Sequence, residues 1–179
     1  MKAYQRIIVS IMILLILLLS VSCSRSDVPE ETEVMNIPEP GIIWDEITEN
    51  GVDEELLIRN IDEETLKTIA EKLQIVAQTI TAKGDADRSY WLTAQWFTDV
   101  QDSEEFKEVT SMGISAAKPL YLIVYKSENQ GLYEYICAMA LDEVFGQEYG
   151  KADDDTDWAT SKELLGLINE RIIENRKQQ

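Results

Sequence analysis

The sequence predicts an α+β domain, a small mixed or antiparallel sheet packed by about three helices in the order α-β-α-β-β-α. Three observations lead there. Leu66, Ile69, Ala70, Leu73, Val76, Ala77 and Ile80 recur at helical steps, which lays one apolar stripe along a helix. Leu120 to Lys126 (LYLIVYK) and Leu132 to Leu141 (LYEYICAMAL) are β-prone runs around the polar stretch Ser127 to Gly131, the pattern of a hairpin over 120–141. Thr160-Ser161-Lys162-Glu163 is a capping box that opens a last helix.

Along the chain, residues 41–60 carry two apolar clusters, Ile42-Ile43-Trp44 and Leu56-Leu57-Ile58, without a sustained period. They predict short elements with an edge strand near 55–59. Asp62 is placed to cap a helix over 63–82, Glu63 and Glu64 suit its positive end, and Gly84 closes it. Ile61 and Leu66 stand where a hydrophobic staple forms. Ser89 to Val100 (SYWLTAQWFTDV), aromatic and rich in β-formers, predicts a strand. Asp102-Ser103-Glu104-Glu105 starts a helix over 103–117 with Phe106, Val109, Met112 and Ala116 inward, and Lys118-Pro119 stops it. The last helix turns Leu164, Leu165, Leu167, Ile168 and Ile172 inward and ends on Arg176 and Lys177.

The first residues have another logic. Lys2 and Arg6 precede an apolar run, Ile7 to Leu19, broken only by Ser10 and followed by the small stretch Ser20-Val21-Ser22. A positive end held in the cytoplasm and an apolar stretch that enters the bilayer are the parts of a secretory signal, here 1–22. The alternative, an uncleaved anchor, needs about 20 apolar residues, and Ile7 to Val21 is shorter. Leu19-Ser20-Val21-Ser22-Cys23 resembles the lipobox of bacterial lipoproteins, with Leu19 one place further from the cysteine than that pattern prefers. The resemblance implies cleavage before Cys23, a diacylglyceryl thioether on its sulfur, and acylation, palmitate included, of the new amino terminus. Several acyl chains hold a protein stably where one is marginal. The chain is then an extracytoplasmic cell-envelope lipoprotein on the cell membrane or, since Ser24 rather than Asp follows the cysteine, the outer membrane. Residues 23–40, acidic and holding three of the four prolines, read as an extended tether, which leaves 41–179 as one domain. The predicted order of elements in that domain resembles that of TPM domains of membrane-tethered bacterial proteins. No motif residue carries the likeness, so it implies no activity.

Charge narrows the function further. After Cys23, 14 Lys and Arg stand against 34 Asp and Glu, a net charge of −20. Such a surface repels nucleic acid and anionic headgroups and attracts cations or basic partners. The chain has no His, which removes Ser-His-Asp and Cys-His catalysis and HExxH zinc sites together. Cys137 is the one thiol besides Cys23, so no internal disulfide forms once Cys23 is alkylated. Its apolar neighbours Ile136 and Ala138 mark it as a core residue rather than a nucleophile.

Two sites suggest themselves. Asp153, Asp155 and Asp157 alternate like the first ligands of a calcium loop, yet Trp158 and Leu164 occupy the places of its glycine and bidentate glutamate. That excludes a calcium hand and leaves a looser divalent-cation site, against the plainer reading of a solvated acidic loop. Asp85-Ala86-Asp87 is a weaker case of the same kind, plainly read as a turn. In the expected hairpin, Tyr121 and Tyr125 share one face, with Tyr133 and Tyr135 together on the neighbouring strand. Tyrosine is enriched at interfaces, so this face is a candidate for partner binding unless a helix covers it. The function expected is a non-enzymatic binding or assembly domain meeting an envelope protein. The alternative is a carboxylate-metal hydrolase or cation-binding domain built on 153–157.

Overall fold

Two stretches of the chain are buried on every side, and both are helices at the centre of a bundle. The structure, a computed structural model, describes residues 43–128, 131–149 and 158–178. A short antiparallel hairpin, β1 (Ile47–Thr48) and β2 (Gly51–Val52), pairs Ile47 with Val52. Helices follow: α1 (Glu54–Arg59), α2 (Glu63–Ala86), a 3-10 turn (Arg88–Leu92), α3 (Gln95–Asp102), α4 (Glu104–Ser111), α5 (Ile114–Lys126), α6 (Leu132–Tyr149) and α7 (Ser161–Gln178). The pair α5 and α6 forms the middle; α2 packs on α4, α5 and α6, and α7 closes over α5, α6 and β1.

The α+β expectation is therefore wrong. The domain is helical, and β1–β2 is the one sheet among the described residues. The runs taken for a 120–141 hairpin are the carboxyl half of α5 and the first half of α6. Leu120, Tyr121, Leu122 and Val124 are buried, as are Ile136 to Leu141 without interruption. An apolar run buried all round has no polar face to reveal its period, so strand and helix look alike. Covered by α2 and α7, these helices meet their own backbone hydrogen bonds and need no sheet.

Three other differences have local causes. Ser89 to Val100 is the 3-10 turn and α3 rather than a strand; Asp87 accepts from the Ser89 amide at 2.9 Å and turns the chain as α2 ends. The expected edge strand near 55–59 is α1, capped by Asp53 on the Leu56 amide at 3.0 Å. The helix expected over 103–117 is two, α4 and the start of α5. They part at Gly113, whose φ of 56° a side chain would strain. Pro119 lies inside α5 and does not stop it. Ser115, whose carbonyl loses its helical donor there, is exposed.

Helix α2 starts where expected, with Asp62 accepting from the Thr65 amide at 2.7 Å, and Ile69, Leu73, Val76, Ala77 and Ile80 buried. It runs on past Gly84 to Ala86, so Gly84 does not close it. A Cβ there would run into the Trp91 indole; the missing side chain lets the ring lie against the helix. The capping box at α7 is formed. The Thr160 hydroxyl accepts from the Glu163 amide at 3.2 Å, and Glu163 accepts from the Ala159 amide at 2.7 Å and the Thr160 amide at 3.3 Å.

A buried polar clamp fastens the amino-terminal lead to this bundle. Glu46 is fully buried and accepts from Asn60 Nδ2 at 2.8 Å and Lys118 Nζ at 2.6 Å. Burial pushes its carboxyl up, but the Asn60 and Lys118 donors outweigh that and hold it below the ordinary range. The Lys118 ammonium also stands 5.8 Å from the Trp44 ring centroid. From the far end of the chain, Arg176 donates to the carbonyls of Trp44 at 2.6 Å and Ile47 at 3.0 Å.

Candidate functional site

The 3-10 turn and α3 form a small projecting corner, and what holds it is a single carboxylate. Asp99 accepts from Lys83 Nζ at 2.7 Å, Gln95 Nε2 at 2.7 Å and the Tyr90 hydroxyl at 2.8 Å. These three donors, Lys83 foremost, pull its carboxyl down to about 2, and burial followed by Asp99 pushes the Tyr90 hydroxyl up to about 12. One side chain on α3 thus pins the 3-10 turn through Tyr90 and α2 through Lys83. With Trp91 seated on Gly84, the corner is fixed from two sides.

That rigid corner carries apolar groups into solvent. Leu92 is 87% exposed, Trp91 40% and Phe97 38%. Isolated apolar residues on a surface are ordinary; here three lie on consecutive elements that pack on each other. Sequence reasoning missed this corner because its aromatic residues suit a strand equally well. The signal available was the pair Asp87 and Ser89, a turn cap at the very start of the supposed strand.

From the corner an aromatic row runs across the bundle. The Phe97 and Trp96 centroids are 5.9 Å apart, Trp96 and Tyr135 5.8 Å, and Tyr135 and Trp158 4.9 Å. Interplanar angles of 87°, 63° and 42° along the row keep the rings from stacking face on face. Trp96, Tyr135 and Trp158 are each half-buried. At the Trp158 end the indole N–H donates to Asp142, an exposed carboxylate, at 3.3 Å.

The tyrosines singled out in the sequence do not share a face. Tyr121 is fully buried and donates to Asn169 Oδ1 at 2.8 Å, with Tyr125 stacked on it at 6.2 Å. Tyr133 lies half-buried beside Cys137. Tyr135 alone belongs to the aromatic row. Tyr121 and Tyr125, four apart on α5, still share a helix face, but Tyr133 and Tyr135, two apart on α6, point different ways, and the strand alternation that grouped them does not apply.

Cys137 is fully buried, and burial pushes its thiol up to about 12, so it is no nucleophile at neutral pH. Asp85 is an exposed residue of the last turn of α2, and Asp87 caps the turn after it. Asp153, Asp155 and Asp157 lie outside the described residues, among which there is no group of His, Cys, Asp and Glu able to hold a metal. Cys23 and the tether also lie outside them, and no described helix is long and apolar enough to cross a membrane. No protein-family model, curated protein or solved structure matches the chain.

Proposed function

We propose that the chain is an envelope lipoprotein, anchored outside the cytoplasm through lipid on Cys23, whose helical domain is a non-enzymatic binding or assembly module. The docking face is the corner at residues 90–97. One observation carries this reading: a fixed segment offers Leu92, Trp91 and Phe97 to solvent. Apolar area held rigidly in water gains about 25 cal/mol per Å² when a partner covers it, without an ordering cost at that moment. The signal-like start of the chain and its small-residue approach to Cys23 support the anchor.

Both halves are testable. Labelled palmitate enters the wild-type chain and not Cys23→Ala; a labelled, membrane-bound Cys23→Ala product rejects the anchor. For the docking face, a photoactivatable amino acid replaces Leu92 in the full chain in its native host. The expected result is one discrete adduct that the same probe at Glu64, an exposed position on α2, does not give. Equal labelling at both positions, or none at Leu92, removes the corner as a docking face.

A further inference from the structure

We propose that the aromatic row of Phe97, Trp96, Tyr135 and Trp158, closed by the Asp142 carboxylate, receives a lysine or arginine side chain from a basic envelope protein. The inference rests on the docking reading above and names the chemistry of the partner.

A ring face carries the negative side of the aromatic quadrupole, and a cation within about 6 Å of the centroid is attracted to it. Four consecutive rings with centroids 4.9–5.9 Å apart give such a cation overlapping positions along the row. The Phe97–Trp96 and Trp96–Tyr135 contacts are edge-on and leave the edge-giving ring's faces uncovered by its partner, the Tyr135–Trp158 contact is tilted at 42°, and the half-burial of Trp96, Tyr135 and Trp158 lowers the local dielectric around them. Asp142 supplies the full negative charge. It lies two helical turns after Tyr135 on α6, on the same face, and takes the Trp158 indole N–H at 3.3 Å. Burial first, and then the Asp142 charge, push the Tyr135 hydroxyl above its ordinary value. A lone indole N–H is a modest partner for an exposed carboxylate, and an incoming ammonium or guanidinium is a stronger one.

Charge complementarity selects the partner. With a net charge of −20 after Cys23, the surface draws in cations. Lys83 and Lys107 are already paired, with Asp99 and Asp102 of α3. Anionic lipid headgroups meet the same field as repulsion, which sets a bilayer behind a basic protein as the occupant.

The test uses the full chain in uncharged maltoside micelles. It is titrated calorimetrically with an end-blocked Gly-Lys-Gly-Lys-Gly-Lys-Gly peptide and with the same peptide acetylated on each lysine. Saturable binding of the charged peptide is expected, at least about tenfold tighter than the acetylated one. Tyr135→Leu and Trp158→Leu each weaken it by about threefold to thirtyfold, while Trp158→Phe keeps most of it. Asp142→Asn, at an exposed position, weakens it by about threefold or more. That variant leaves the packing intact where a ring substitution loosens α3 on α6. Equal affinity for the acetylated peptide overturns the proposal. So does binding that Tyr135→Leu and Asp142→Asn both leave unchanged, which makes it the diffuse field of the surface alone. Transfer to phosphatidylcholine vesicles that Trp158→Leu abolishes, without peptide binding, makes the row a lipid site instead. An adduct at Leu92 with row-independent peptide binding rejects this proposal and spares the docking reading; row-dependent binding without the adduct does the reverse.

Discussion

The domain contains two clusters built from the same parts, a carboxylate held by a lysine and a side-chain amide, and they do opposite work. At the base, Glu46 takes Lys118 and Asn60 in the interior, with the Lys118 side chain 17% exposed. At the corner, Asp99 takes Lys83 and Gln95 near the surface, with Lys83 49% exposed. A charge in the interior is tolerated only while paired, so the base clamp is strong as a unit and fragile to the loss of one member. Near water each partner retains solvation, so the corner clamp contributes little to global stability and fixes local shape. Burial, not the residue types, decides whether an ion pair holds a fold or poses a surface.

Substitutions separate the two. The largest effect is expected at the base. Lys118→Met leaves Glu46 buried without its cation and costs about 3–5 kcal/mol in denaturant unfolding. Adding Glu46→Leu recovers much of that loss; an equal or greater loss in the double variant contradicts the clamp. Gly84→Ala comes next. Its Cβ enters the space of the Trp91 ring, which has to leave its seat at a cost of about 1–3 kcal/mol. Tryptophan emission then shifts to the red, and an unshifted spectrum means the ring was never seated.

The pH effect expected at the corner is smaller. The Asp99 carboxyl is depressed from 3.8 to about 2, so its contribution is complete above the ordinary value and fades as pH falls through the folded one. Loosening of residues 88–99 between about pH 4 and 2, followed by tryptophan emission, is the expected outcome. Asp99→Asn removes that transition. At neutral pH the same variant raises amide exchange over 88–97 with little change in melting temperature. A large fall in melting temperature places the corner among the stabilising elements after all.

Where the sequence spoke through caps, it could be read. Asp62 and the Thr160–Glu163 box set the starts of α2 and α7, because a cap is a local hydrogen bond between residues a few places apart. It misled in α5 and α6, because their faces are decided by what covers them from far along the chain. Ile136 to Leu141 read as a strand in isolation and become a helix once α2 and α7 bury both sides. The site was half legible. Tyr135 was marked as an interface residue, but nothing local placed Trp96 and Trp158 beside it. Gly84 was noticed for the wrong reason: a glycine near a helix end suggests a stop, and the notch for Trp91 is visible only with both elements in place.

The reach of Arg176 to Trp44 spans 132 positions. A contact between distant residues shuts a long loop, and the entropy of closing it has to be met before the contact forms. This one sits in the last turns of α7, where helices fray. A pull on the lead at residue 43 loads the Arg176 grip on Trp44 together with the Trp44–Tyr121 contact and the Glu46–Lys118 pair on α5, and only then the Glu49–Lys177 pair. Tension on the lead therefore falls on both ends of the domain and on its middle at once: baring Trp44 means breaking the Arg176 grip and drawing Glu46 off Lys118 together.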